Sequence, residues 1–236
     1  MERRDLLKFI AGGTAGAVVA GLGINSAALQ GAEKCQSCTG EKKMKKFTNA
    51  DFYKDGKFQT DVALKAYFDM FERFHYSLTD VLRGNKEFWA VDFGLGDFEN
   101  VGMGGIFWWN SKEFRYFAHE IYLLPGQMIP EHFHLAAEDL PAKHETWHVR
   151  NGSIFNFGIG GEKTPETLKM LPKSQLDAGA ITCFKWKKMV VGDMDSLTGL
   201  GDPHFMMGGP EGAIVSEYGS YHSMKGLNFT NKKAAL

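Results

Sequence analysis

The chain has 236 residues, 44% of them hydrophobic and 13% aromatic, a length that holds one large domain or two small ones around a sizeable core. Its 27 basic and 28 acidic side chains leave a net charge of −1, which argues against nucleic acid as a partner. The 28 glycines, many beside apolar runs, fit a turn-rich β architecture, and there is no long low-complexity tract or internal repeat.

At the N-terminus, Glu2-Arg3-Arg4-Asp5-Leu6-Leu7-Lys8 has the form of a twin-arginine export motif. A Gly/Ala-rich apolar run of 16 residues, Phe9 to Ile24, follows; it is short of the roughly 20 residues a membrane span needs. Ser26-Ala27-Ala28 offers small residues for cleavage after Ala28. An amphipathic N-terminal helix is the plain alternative, but the absence of any charge between Lys8 and Glu33 argues against it. Residues 1–28 are therefore expected to be a signal peptide read by the twin-arginine export machinery, giving a periplasmic protein, or a membrane-tethered one if the signal stays on. Residues 29–47 read as a linker containing Cys35-Gln-Ser-Cys38. That pair is open to three readings: a small disulfide, half a metal site, or a peripheral loop. No second Cys pair exists to complete a zinc knuckle, and Cys183 reads as a buried strand residue.

Residues 48–236 read as one domain, with a helical lead-in over 48–85 and a barrel over 86–236. Thr48 or Asn49 caps a short helix through Tyr53, and Asp55-Gly56 is a turn signal. Thr60-Asp61 then opens a longer helix. Its Ala63, Tyr67, Met70, Phe71 and Phe74 make one apolar stripe, which predicts packing against a sheet. From Glu87 the pattern changes to aromatic and β-branched runs bounded by Gly, Asn, Asp or Pro. Strands are predicted over 88–93, 104–109, 115–124, 127–134, 144–150, 153–159, 180–186, 203–207 and 212–219. Many short strands without βα alternation predict a mainly β chain, a jelly-roll barrel with an N-terminal helical extension.

The chemistry concentrates at His132-Phe-His134. Two imidazoles at alternate positions share one face of a strand. A turn over 135–142 is expected to bring Glu145 level with them on the neighbouring strand, and His204 arrives from a later hairpin. Three neutral imidazoles and one carboxylate suit Mn, Fe, Co, Ni or Zn better than Ca or Mg. Glu131, His144 and His148 are the local competitors, and His144 and His148 have the opposite strand phase to Glu145. His75 and His119 read as structural or surface residues.

Gly126, His132-x-His134, Glu145 and Gly152, with Gly201-x-x-His204, resemble the two sequence motifs of the cupins, apart from a longer spacer before Glu145. The flanks are narrower still. Phe88-Trp89-Ala90-Val91-Asp92-Phe93-Gly94-Leu95-Gly96-Asp97-Phe98, Pro125-Gly126-Gln127, Lys143-His-Glu145 and Gly209-Pro210-Glu211-Gly212-Ala213-Ile214-Val215-Ser216-Glu217-Tyr218 resemble the D-lyxose ketol-isomerase family over roughly 60–230. The resemblance implies a cupin fold and a divalent metal, usually manganese, on His132, His134, Glu145 and His204. It also implies aldose–ketose isomerisation of a pentose or related sugar by proton transfer through an enediolate, and commonly a homodimer. Lys143 and Glu217 become the acid/base candidates. The competing expectations are a cupin oxidoreductase, dioxygenase or decarboxylase, on the same cage, and a non-catalytic sugar-binding cupin. Where the family carries acidic and hydroxyl residues after the Glu217 motif, this chain has Gly219-Ser220-Tyr221-His222-Ser223-Met224-Lys225. That leaves His222 as a group behind the ligands, a substrate contact or an alternate ligand. Phe107, Trp108, Trp109 and Trp147 are expected in the core rather than as a wall on which a sugar stacks.

Overall fold

The computed structural model describes residues 45–84 and 87–236, so the expected signal peptide and the Cys35-Gln-Ser-Cys38 stretch lie outside the described residues. The Thr48 N–H donates to Asp51 Oδ2 at 2.9 Å, a helix-starting contact that leads into α1 (Asn49–Phe52). Asp55 and Gly56, at φ 51° and 71°, make the tight turn between β1 (Tyr53–Lys54) and β2 (Lys57–Phe58). In α2 (Thr60–Arg73) the expected stripe is real: Ala63, Tyr67, Met70 and Phe71 are buried, and Phe74 just past the end is half-buried. A single turn, α3 (Asp80–Arg83), completes the helical lead-in.

The barrel strands are β3 (Phe88–Val91), β4 (Met103–Ser111), β5 (Tyr116–Leu123), β6 (His132–His134), β7 (Glu145–Gly158), β8 (Lys185–Val190), β9 (Met194–Ser196), β10 (Phe205–Ser220) and β11 (Leu227–Phe229). Two short helices, α4 (Pro165–Met170) and α5 (Lys173–Asp177), fall between β7 and β8. A seven-stranded antiparallel sheet runs β3-β4-β5-β10-β7-β8, with β9 also on β7, and β11 pairs with β6 separately. The architecture is the mainly β jelly roll that the strand pattern predicts, of the cupin type that the resemblance implies.

Alternation along the strands separates two apolar faces. Tyr122 and Ile214 face α2 and pack with Tyr67, Phe71, Phe88 and Ile106. Their neighbours Ile121, Leu123 and Val215 face the interior with Trp147, Val149 and Met206. The pair Gly104-Gly105 serves both faces. A Cβ at Gly104 would lie 2.7 Å from the Tyr67 ring, and one at Gly105 would lie 2.5 Å from His119 Nε2.

Several strand boundaries differ from expectation for physical reasons. The stretches 144–150 and 153–159 are one strand, β7, and 203–207 and 212–219 are one strand, β10, with register shifts at Gly208/Ala213 and Ile214/Val215. Gly152 falls between two predicted strands and Gly212 at the start of another. In the fold they allow close approach, since a Cβ on Gly152 would sit 2.0 Å from Gly212 O. The strand expected over 180–186 begins only at Lys185, because Thr182 and Cys183 donate their N–H groups to the Glu131 carboxylate rather than to a neighbouring strand. Of the stretch 127–134, only His132–His134 forms a ladder, while Met128 makes single bridges to Val101 and Met207.

Candidate metal centre and active site

His132 and His134 stand on β6, held in register by β11 (His132 opposite Phe229, His134 opposite Leu227). His204 immediately precedes β10 and exchanges both backbone hydrogen bonds with His132, at 3.0 and 2.9 Å. Glu145 opens β7, in the seven-stranded sheet. This corrects one expectation: Glu145 is not on a strand paired with the histidine strand, and β6 has no ladder to β7. The four side chains nevertheless converge, with one ligand atom from each lying within 4.8 Å of all the others. His144 turns away, its Nε2 3.0 Å from Leu197 O, as its strand phase requires.

The contacts within this group fit a divalent cation. His132 Nδ1 lies 2.9 Å from Pro130 O, and His204 Nδ1 lies 2.9 Å from Asp202 O. Those bonds put a proton on each Nδ1 and turn each Nε2 inward, where burial would lower the pKa of His204 but Glu145 raises it and so favours a positive charge at that position. His204 Nε2 is 2.8 Å from Glu145 Oε2, and His134 Nε2 is 3.0 Å from Glu145 Oε1. Both ring nitrogens of His134 are buried without a hydrogen-bond partner among the described residues. Lone pairs this close to a carboxylate need a positive charge between them, a proton or a metal ion. Burial, with the neighbouring His204 and His134 rings adding to it, holds His132 well below the ordinary imidazole value and keeps it neutral. Burial pushes Glu145 upward, but Lys143 and the histidines outweigh it and hold the carboxyl well below its usual range.

A second carboxylate adjoins the first. Glu217 on β10 is 5% exposed and Lys143 is 4% exposed. The Lys143 ammonium is 2.6 Å from Glu145 Oε1 and also donates to Glu217 Oε1. Burial alone would lower the lysine's pKa, but the two carboxylates reverse that and raise it. Glu217 feels burial and Glu145 pushing it up, while Lys143 and His119 prevail and keep it below the ordinary carboxylate value. Room for the lysine chain comes from Gly219, whose Cβ would lie 3.2 Å from Lys143 Cε. Two buried carboxylates share one ammonium, so these three groups carry a net negative charge that favours a cation beside them.

His119 was expected to be structural or on the surface, yet it belongs to this site. On β5 it stands directly opposite Glu217 on β10, with Nδ1 3.2 Å from Glu217 Oε2. Its ring stacks on Trp89 at 5.6 Å and meets the edge of Phe107 at 4.8 Å. Strand alternation was the available signal: Phe117, His119 and Ile121 share one phase and all line the same cavity as the four-residue group. The aromatic expectation needs correcting too. Trp147 is buried against His204, whereas Phe107, Trp108 and Trp109 are exposed, the last at 55%. The register shift between Phe107 and Trp109 turns this run outward at the end of β4.

No protein-family model matches the chain. A D-lyxose/D-mannose isomerase of Thermosediminibacter oceani is 33% identical over 145 residues, 61% of this chain and 76% of that protein. A D-lyxose ketol-isomerase of Cohnella laeviribosi is 34% identical over 131 residues, 56% of this chain and 69% of its own length. Among solved structures, the L-ribose isomerase of Acinetobacter sp. DL28 in complex with L-ribose superposes with a TM-score of 0.56 at 14% identity. That of Cellulomonas parahominis superposes with a TM-score of 0.55 at 15% identity. Each covers 74% of this chain and 92% of its own, and at such identities the likeness shows the shared fold. Fold, clustered side chains and sequence identity therefore agree: this chain belongs to the D-lyxose ketol-isomerase family and is a sugar ketol-isomerase.

Proposed function

We propose that the chain interconverts D-lyxose, and its six-carbon counterpart D-mannose, with the corresponding 2-ketoses, using Mn2+ on His132, His134, Glu145 and His204. One observation carries the reading. A second buried carboxylate, Glu217, stands beside the four-residue group without joining it, tied to Glu145 through Lys143. A carboxylate so placed is free to move a proton while the other four side chains hold the cation.

A divalent ion held there would polarise the two sugar oxygens at C1 and C2. Glu217 takes the proton from C2 of the aldose, and the electron pair of that bond forms the C1–C2 double bond of an enediol. The same carboxyl returns the proton to C1, and the O2–H bond breaks as the C2 carbonyl forms. The hydroxyl proton thus passes from O2 to O1. Lys143, between the carboxylates, is placed to hand it across and keeps Glu217 ionised between turnovers. His119 donates to the other Glu217 oxygen and fixes its aim. Depressed as it is below the usual carboxylate range, Glu217 is available as a base through neutral pH.

The test is to load metal-free protein with Mn2+, Co2+, Ni2+, Zn2+ or Fe2+ in turn and follow aldose-to-ketose conversion over pentoses and hexoses. Turnover of D-lyxose that is greatest with Mn2+ supports the reading. Oxygen consumption with Fe2+ and no sugar turnover would replace it with the oxidoreductase alternative. We further propose export through the twin-arginine route on the strength of Arg3-Arg4 and the uncharged run after Lys8. Periplasmic activity that survives an Arg3→Lys, Arg4→Lys double substitution would refute that. Assembly as a homodimer, carried over from the family resemblance, is checked by sedimentation equilibrium.

A further inference from the structure

His222 has no part in the proton transfers above, yet it lines the same cavity as the four-residue group. It follows β10, and its backbone is held from both sides by one side chain. Asn110 Nδ2 donates to His222 O at 3.0 Å, and the His222 N–H donates to Asn110 Oδ1 at 3.0 Å. The ring is 9% exposed and stacks on Phe117 at 5.4 Å. It also meets Phe107 at 5.6 Å and the His134 ring at 5.6 Å. His222 Nε2 lies 3.3 Å from Met224 Sδ, while Nδ1 is buried with no partner among the described residues. Sulfur only accepts, so the ring proton sits on Nε2 and Nδ1 presents a bare lone pair. An acceptor left unpaired in an apolar wall is unfavourable until something donates to it. Phe107 and Phe117 beside it have no hydrogen to offer, the Lys143 ammonium over the Phe117 ring is committed to Glu145 and Glu217, and the four candidate ligands are grouped without His222.

We propose that His222 is a specificity-determining residue whose Nδ1 accepts a hydrogen bond from a sugar hydroxyl beyond the two reacting carbons. The inference rests on the isomerase reading and deepens it. With C1 and C2 held at the cation site, the rest of the sugar must run along the cavity wall. His222 is a rigid polar point on that wall, next to His134. A hydroxyl of the right configuration meets the lone pair; its epimer leaves the lone pair buried and unpaired. Such a site separates the two sugars more sharply than apolar contact would.

Three sugars isolate this contact: D-lyxose, its C4 epimer L-ribose and its C3 epimer D-arabinose. Wild-type, H222F and H222N proteins, each Mn-loaded, are compared by kcat/KM and by bound Mn. Phe fills the slot without a polar atom, and Asn keeps an acceptor near the Nδ1 position. H222F is expected to shrink the preference for the favoured sugar over at least one epimer about tenfold, the loss of one buried hydrogen bond, mainly through KM and with bound Mn unchanged. H222N should restore most of that preference. If H222F does not fold, H222L repeats the comparison. A common loss for all three sugars, or loss of Mn from H222F, overturns the proposal in favour of packing or metal ligation. Should wild-type protein isomerise none of the three, the isomerase reading fails by itself. Calorimetric binding of D-lyxose then decides this contact: weaker binding by H222F supports it, and equal affinity or no binding to either protein overturns it.

Discussion

Glu131 and Glu145 are both buried carboxylates, 1% and 2% exposed, yet their surroundings have opposite character. Glu131 accepts four hydrogen bonds from neutral donors. Thr182 N and Cys183 N reach Oε2 at 2.7 and 2.9 Å, and the hydroxyls of Thr182 and Thr230 reach Oε1, both at 2.7 Å. Every donor comes from a distant loop, so this carboxylate ties the 182–183 loop and the C-terminal segment to the base of β6. Glu145 has one lysine, shared with Glu217, and two imidazoles whose lone pairs face it. A buried acid whose needs are met by backbone and hydroxyl groups holds a fold together. One surrounded by titratable groups, with charge left over, is arranged for an ion and for moving protons.

Substitutions at the three acids break this contrast cleanly. Glu145→Gln removes the anionic ligand, and we expect bound metal to be lost and kcat/KM to fall by more than about a thousandfold, measured by metal analysis alongside the sugar assay. Glu217→Gln should lower kcat by about a thousandfold while metal content stays the same, a split that separates base from ligand. Glu131→Gln puts an amide NH2 where one oxygen accepts two bonds. It should destabilise the fold by about 3 kcal/mol in urea titrations. The protein that remains folded should keep its metal and most of its activity. A Glu131→Gln protein of normal stability would show that the four-donor arrangement is incidental.

Much of this site was legible in the primary sequence because its rules are local. The alternation of His132 and His134 and the opposite phase of His144 follow from backbone geometry, whereas the glycine spacing, Lys143 and Glu217 were legible only through the family resemblance. What escaped was pairing between distant strands. His119 gains its meaning only from facing Glu217, 98 positions away, across the β5–β10 ladder. Nothing within β5 says which strand lies beside it. The same limit explains why Glu145 was placed on the wrong sheet while its facing was right. Gly152 was a gap between two predicted strands, and nothing local says that it lies within one long strand where Gly212 needs room to touch it. Glu131 looked like a rival ligand, and only its four loop donors reveal it as a staple.

Gly105 lets the contrast be probed without touching a charged group. A Cβ there would come within 2.5 Å of His119 Nε2 and 2.7 Å of the Trp89 ring, so Gly105→Ala must shift the imidazole that steadies Glu217. We expect kcat to drop about tenfold, in line with misplacing a catalytic group, while KM and metal content change little. A loss of metal equal to the loss of rate would instead mean that the whole cavity had moved.

The smallest effect belongs to Cys183, on the Glu131 side of the comparison. Burial, reinforced by the Glu131 carboxylate, pushes its thiol up to about 12, and the Sγ lies 3.1 Å from Pro203 O. The folded protein therefore favours the neutral thiol more than the unfolded chain does. This contribution to stability is complete below the ordinary thiol value of about 8.5 and is lost as pH rises from there towards 12. Two measurements follow. Stability in urea should decline more steeply above pH 9 for the wild type than for Cys183→Ala. Alkylation of Cys183 by iodoacetamide at pH 8 should be slow in the native protein and become rapid with Glu131→Gln, because losing the staple opens the loop that shields the sulfur. Equal labelling rates in the two proteins would mean the loop is closed by its apolar contacts alone. The carboxylate would then be a consequence of the fold at that point, not one of its causes.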